Sequence, residues 1–217
     1  MNFITRTPNS SRLPLLLSIF VFLYSFSASL LAQIWFIPTF FTQSGVSEGL
    51  VILDSLGFDR IAREQVEAMQ IFGWSAWGLR PEGQSPAGIL SVFYFLFGSS
   101  PLTILPFNAA LHAFSAYLVF TILRAFFSAS PSMVGALVFV LHPSSFEWVA
   151  QVHRDGIFIL GILLLMLATL SFTKEMGQAG RKRCSEYFSK KKMLTLTDNL
   201  YHDLINYAAT GYSSKVK

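Results

Sequence analysis

The sequence predicts an all-α, polytopic membrane protein with four or five transmembrane helices and a long outer loop that carries a short amphipathic helix. Hydrophobic residues make up 53% of the 217 residues and charged residues only 13%, whereas a soluble domain has about a quarter charged. The mean hydropathy is +0.51. The single cysteine, Cys184, excludes an intrachain disulfide framework and a cysteine-based zinc site. This composition also excludes a disordered chain, which is poor in apolar residues and rich in charge.

The apolar residues are grouped in long continuous runs, as expected of membrane helices. The candidate spans are 13–41, 87–97, 102–127, 131–141 and 156–173. For the first run the alternative is a cleaved signal peptide, because small and apolar residues precede Gln33. The run continues beyond Gln33 through Ile37, which favours an uncleaved first span.

The positions of the basic residues select among topologies. Arg6 and Arg12 precede the first run and a basic segment follows the last one, and basic residues favour the cytoplasmic side. Five spans would put these two ends on opposite sides. We therefore expect 131–150, which His142-Pro143 interrupts, to be re-entrant or interfacial, so that four spans remain. Both termini are then cytoplasmic in a plasma or inner membrane, and the outer loop 42–84 and the polar patch 142–155 face outward.

Charge divides the chain into a membrane module, 1–173, and a basic cytoplasmic tail, 174–217. The module has seven Arg, no Lys and eight acids, whereas the tail has nine Lys or Arg and four acids. A tail of this kind directly after an apolar run is typical of a juxtamembrane anchor on anionic lipid. We favour membrane lipids as its partner over the alternative, a nucleic acid.

The outer loop 42–84 contains six of the module's eight acids. Within it, 57–72 predicts an amphipathic helix with an apolar face formed by Phe58, Ile61, Ala62, Val66 and Met69. We expect this helix to lie on the membrane surface.

Three acids are candidates for chemistry, and each also has a structural interpretation. Asp54 and Asp155 suit the N-terminal ends of helices, the latter paired with Arg154, and Asp59 suits a solvated first turn. Alternatively, these carboxylates act as a general base or bind a divalent cation beside a phosphate. His112, alone within an apolar run, is expected to form a hydrogen bond between helices rather than to bind a ligand.

The pattern of loops and spans over residues 10–173 resembles the N-terminal module of GT-C type integral-membrane glycosyltransferases. That group includes protein O-mannosyltransferases and lipid A aminoarabinose transferases. The segments that carry the resemblance are Asp54-Ser55-x4-Arg60-Ile61-Ala62, Gly83-Gln84-Ser85-Pro86-Ala87-Gly88 with the apolar run to Gly98, and His142-Pro143-Ser144-Ser145 followed by Gln151-Val152-His153-Arg154-Asp155-Gly156.

The resemblance implies transfer of a sugar from a polyprenyl- or dolichyl-phosphate donor to a protein, lipid or glycan acceptor on the outer side. Asp54 matches the family's first-loop acid, with Asp59 as the fallback, and Asp155 matches the second acid. Arg154, Arg80 or Arg60 would neutralise the leaving phosphate. The resemblance does not fix a cofactor; if a divalent cation, Mg²⁺ or Mn²⁺, takes part, Asp54 and Asp155 are the residues that would hold it. Family members usually have many more spans, so the resemblance implies a truncated or split enzyme.

Two other functions are compatible with the sequence. One is a non-catalytic membrane scaffold or assembly subunit, in which the acids cap helices and pair with Arg. The other is part of a transporter for a lipid-linked sugar, although transporters place ionisable residues near the midplane and most acids here lie in loops.

Overall fold

The computed structural model describes residues 12–41, 49–51 and 53–213, with side chains as far as residue 208, and these residues form an all-α fold. The helices, numbered in chain order, are α1 (Leu13–Phe40), α2 (Leu53–Phe72), α3 (Ser85–Phe97), α4 (Leu105–Leu123), α5 (Ala129–Leu141), α6 (Pro143–Ala150), α7 (Asp155–Tyr187) and α8 (Lys190–Ser213). α1 includes a π-helical stretch, Ala32–Phe36.

Among the described residues, three helical segments are long and apolar enough to cross a membrane. They are Leu13–Phe40, Pro101–Leu123 and Asp155–Ala208, and the bent pair α5 and α6 makes a fourth if it is counted as one span. α3 has thirteen residues and is therefore only about 20 Å long, well short of a bilayer core. Four spans are reached only if this bent pair, which was expected not to span, is counted as one, and 87–97 is too short to be the expected second span.

α5 and α6 meet at His142-Pro143 with a bend of 56°. His142 has extended backbone, with φ −63° and ψ 131°, because the residue before a proline is pushed out of the helical region. Its Nδ1 accepts a hydrogen bond from the backbone N–H of Ser144 and so caps α6. The predicted interruption of 131–150 at this dipeptide is confirmed.

α2 begins four residues earlier than the predicted 57–72 and ends at the predicted residue. Its predicted apolar face, from Phe58 to Met69, is buried. Much of this face packs in one cluster with Ala87, Leu90 and Tyr94 of α3. α3 covers this face, so it is not available to contact a membrane surface.

α1, α4 and α5 form the second apolar cluster of the fold. It contains Leu17, Val21, Ala113, Ala116, Phe120, Ala136 and Val140. The small alanines of α4 let the helix backbones approach closely, as is usual where apolar helices pack together. Between α1 and α4, Ser25 Oγ lies 2.7 Å from His112 Nδ1, so the predicted interhelical role of His112 is confirmed.

Residues 168–217 form a separate compact unit. It contains the end of α7 and all of α8, so the predicted tail 174–217 is helical over most of its length. From Phe172 to Ala208 nearly every side chain is exposed.

Candidate functional site

The candidate site is built around the irregular junction between α6 and α7. Residues 149–152 are buried there, and buried carbonyl groups outside regular structure need partners. Asn108 Nδ2, from α4, donates to the carbonyl oxygens of Val149 and Gln151 at 3.2 and 2.9 Å. Gln33 Nε2, from α1, donates to the carbonyl oxygen of Ala150 at 2.6 Å. Two apolar helices thus hold the junction in place through amide side chains.

The same junction also holds the segment that leads into α2. Gln151 Nε2 donates to the Gly49 carbonyl oxygen at 3.0 Å, and its Oε1 accepts from the Val51 N–H at 2.9 Å. Ser55 Oγ then donates to the Val152 carbonyl oxygen at 2.8 Å. The first turn of α2 is therefore bonded to the residues that immediately precede α7.

These bonds bring two of the predicted acids to one region. Asp54 lies beside Ser55 in the first turn of α2, and Asp155 lies in the first turn of α7, three residues after Val152. Acids in the first turn are stabilised by the positive end of the helix dipole. The Asp54 side chain is exposed, as expected of a helix-terminal acid with access to solvent.

A cavity of about 340 Å³ lies next to Asp155. Its apolar wall is formed by Val138, Phe139, Trp148 and Ile159, and its polar lining by His142, Ser144, Ser145, Glu147, His153 and Asp155. Such a mixture suits a ligand with an apolar part and a polar part. Trp148 packs directly on Gly156, where an added Cβ would lie 2.8 Å from the indole ring. The start of α7 is thereby fixed against this wall.

Within the cavity, Asp155 is paired with His153 rather than with Arg154 as expected. Asp155 Oδ2 lies 3.2 Å from His153 Nδ1, and the side chains are 50% and 16% exposed. The cavity therefore offers a partly hydrated carboxylate beside a largely buried imidazole. This arrangement can bind hydroxyl groups and accept or donate protons.

Asp59 has a different environment from the other two acids. It is 6% exposed, so the expectation of a solvated first-turn acid is wrong. Its Oδ1 accepts a hydrogen bond from the Tyr94 hydroxyl at 2.5 Å, and its Oδ2 accepts from Arg63 Nε at 2.9 Å. The Arg63 guanidinium also lies over the Tyr94 ring, 5.5 Å from its centroid. Oδ1 joins α2 to α3 through Tyr94, and Oδ2 is engaged by Arg63 of the same helix. Since both carboxylate oxygens are thus occupied, the geometry gives Asp59 a structural role.

The three predicted phosphate-binding arginines are all exposed. Arg60 is engaged by Glu64 at 2.7 Å and by Glu82 at 3.5 Å. In the part of the chain that the structure describes, the side chains of Arg80 and Arg154 form no ion pair. Arg154 directly precedes Asp155, which makes it the arginine closest in sequence to the cavity lining.

The described residues provide few ligands for a metal ion. No group of three or more His, Cys, Asp or Glu side chains among them could hold one. The ligand pair expected from the resemblance, Asp54 and Asp155, would have to be completed by groups from a substrate or from water.

Sequence reasoning assigned no role to His142, Glu147, Trp148 or His153, which all line the cavity. The sequence did contain a signal for these residues, because the polar patch 142–155 was predicted to face outward. What the sequence did not show is the bend between α5 and α6, which brings residues up to 21 positions apart around one cavity. His142 also lines a second cavity of about 310 Å³, together with Tyr24, Ser25 and His112.

No family model, curated protein or solved structure is significantly similar to this chain.

Proposed function

We propose that this chain is an integral-membrane glycosyltransferase of the GT-C type, or the N-terminal part of one. It would transfer a sugar from a polyprenyl- or dolichyl-phosphate donor to a protein, lipid or glycan acceptor on the outer face of the membrane. The observation that carries this proposal is the cavity beside Asp155, together with the Ser55–Val152 bond that ties the helix of Asp54 to the same junction.

The lining of the cavity supports a lipid-linked donor. Val138, Phe139 and Ile159 provide an apolar wall, and they belong to helices long and apolar enough to cross a membrane when α5 and α6 are taken together. The lipid tail of such a donor stays in hydrocarbon while its sugar phosphate reaches the polar lining. A site at this boundary avoids extracting the lipid from the bilayer, which would cost about 0.8 kcal/mol for each methylene group exposed to water.

The step assigns one role to each acid. Asp54 accepts the proton of the acceptor hydroxyl, whose oxygen attacks the anomeric carbon of the donor sugar. The bond between that carbon and the phosphate oxygen breaks, and its electron pair leaves with the lipid phosphate. Asp155, held by His153, binds hydroxyl groups of the donor sugar. Attack opposite to the leaving phosphate inverts the anomeric configuration.

Arg154 is the best candidate to neutralise the leaving phosphate. It is exposed, adjoins Asp155 and has no ion pair within the described residues, whereas Arg60 is already engaged by two glutamates. A guanidinium forms paired hydrogen bonds to phosphate oxygens. Arg80 is the second candidate.

The test is a transfer assay in membranes that contain the full chain, with undecaprenyl- and dolichyl-phosphate-linked radiolabelled hexoses and aminoarabinose as donors. We expect Asp54→Asn to lower transfer by at least about a hundredfold, which is the usual contribution of a positioned acid or base. Asp155→Asn should also lower transfer, because it removes the carboxylate that binds the donor sugar. Asp198→Asn, which changes an exposed acid of α8, is the matched control and should retain full transfer. Wild-type levels of transfer by Asp54→Asn, at equal protein abundance, would contradict the assignment of Asp54.

One observation favours the non-catalytic scaffold as a second candidate. The carboxylate of Asp59 serves to join two helices, as that hypothesis expects of the acids in general. The same assay separates the two functions, since a scaffold transfers no label from any donor while its removal destabilises a partner protein.

A further inference from the structure

α8 presents an apolar face that runs along the whole described helix. The face is formed by Met193, Leu196, Leu200, Leu204 and Tyr207, which recur every three or four residues. This spacing places them on one side of a helix. Leu200 is 59% exposed and Leu204 is 54% exposed. The opposite side carries polar residues, including Asp198 and His202.

The charge of this unit is concentrated where α8 begins. Residues 174–192 contain seven Lys or Arg and two Glu, whereas residues 193–217 contain two Lys and two Asp. Lys190, Lys191 and Lys192 occupy the first turn of α8. Positive charge at this end opposes the helix dipole, so these lysines do not stabilise the helix itself. An anionic partner next to the first turn would offset the unfavourable interaction between these lysines and the helix dipole.

We infer that α8 lies along the surface of an anionic membrane, with its apolar face in the lipid and its basic end near the headgroups. Helices that bind in the interface have this combination of an aliphatic face and clustered lysines. A membrane would also be close to α8, because the apolar run 156–173 of α7, which is long and apolar enough to cross one, directly precedes the basic cluster. α7 ends at Tyr187 and α8 begins at Lys190, so residues 188 and 189 break the helix between the basic cluster of α7 and the lysines of α8.

This inference does not depend on glycosyl transfer, and it is tested on the full chain in proteoliposomes. Leu200→Cys and His202→Cys are made separately in a Cys184→Ser background and labelled with an environment-sensitive fluorophore. Vesicles consist of phosphatidylcholine alone or of phosphatidylcholine with phosphatidylglycerol, each with a nitroxide-labelled lipid as quencher. We expect a blue shift and lipid quenching at position 200 in anionic vesicles, and an aqueous spectrum at position 202.

Two controls make the outcome decisive. Ile162→Cys, in the apolar part of α7, reports whether α7 itself is in the bilayer, so failure of the membrane assignment is distinguishable from failure of the α8 inference. Changing Lys190, Lys191 and Lys192 together to Gln should abolish the preference of position 200 for anionic vesicles. The inference is overturned if position 200 is as aqueous as position 202. It is also overturned if position 200 is shielded without lipid quenching, since a protein partner would then cover the face.

Discussion

Ser55 donates its hydroxyl hydrogen to the carbonyl oxygen of Val152 across 2.8 Å, although the two residues are 97 positions apart. Both residues are buried. The bond links the first turn of α2, which carries Asp54, to the junction that precedes Asp155. The proposal of one acid site depends on this link.

Ser55→Ala should destabilise the protein, because it leaves the buried Val152 carbonyl without this donor. An unsatisfied buried group costs about 1–3 kcal/mol, so the thermal unfolding temperature in detergent should fall measurably. Ser75→Ala is the matched control, since the Ser75 hydroxyl also donates to a carbonyl oxygen but is exposed. Equal unfolding temperatures for Ser55→Ala and Ser75→Ala would contradict the role given to the Ser55 bond.

Tyr94→Phe should weaken the packing of α2 on α3. It removes the hydrogen bond to Asp59 and leaves one buried carboxylate oxygen with fewer partners, at a cost of about 1.5–3 kcal/mol for a bond to a charged group. Unfolding monitored by circular dichroism would measure the loss, with exposed Tyr201→Phe as the control. If Tyr94→Phe is as stable as Tyr201→Phe, the bond does not join the helices as described.

Gly88→Ala tests the close approach of the loop before α3. A Cβ at Gly88 would clash with the backbone carbonyl of Leu79, which cannot rotate away as a side chain would. We expect a large loss of stability. Gly57→Ala, inside α2 with nothing within 4 Å of an added Cβ, should instead gain about 0.5–1 kcal/mol from helix propensity. The two alanines should thus change the unfolding temperature in opposite directions, and a stabilising Gly88→Ala would refute the contact.

His153→Asn tests the pair that lines the cavity. His153 acts through Asp155, so the variant should lower kcat/KM for transfer by about tenfold, less than the hundredfold expected of a missing acid or base. Because the proposal assigns His153 to positioning the Asp155 carboxylate, Asp155→Asn combined with His153→Asn should be no worse than Asp155→Asn alone. Additive losses would show that His153 acts independently of Asp155.

Periodicity predicted the elements that depend on local pattern. The apolar face of α2 and the break at His142-Pro143 follow from residue spacing and from proline geometry, and both are present. The sequence could not identify what packs on the apolar face of α2, because such a face can be covered by lipid or by another helix. Only the tertiary arrangement identifies α3 as its cover.

Hydrogen bonds between residues far apart in the chain could not be predicted from the sequence, because they depend on the tertiary fold and not on a local pattern. The Gln151 side chain forms hydrogen bonds to the backbone of both Gly49 and Val51. The Asp59 carboxylate accepts a hydrogen bond from Tyr94, which is 35 positions away. No periodicity or motif in the sequence marks either of these contacts. The pairing of Asp155 with His153 was missed similarly, since Arg154 is adjacent in sequence and has the more evident charge.

The most direct test of the central claim is the sidedness of three single cysteines at positions 54, 155 and 190, introduced in a Cys184→Ser background. Each variant is exposed to a membrane-impermeant maleimide in sealed cells or vesicles. The account predicts that positions 54 and 155 are labelled from the outer side and that position 190 is labelled only after the membrane is opened. Labelling of positions 54 and 155 from opposite sides would contradict one shared acid site and, with it, the proposed transferase.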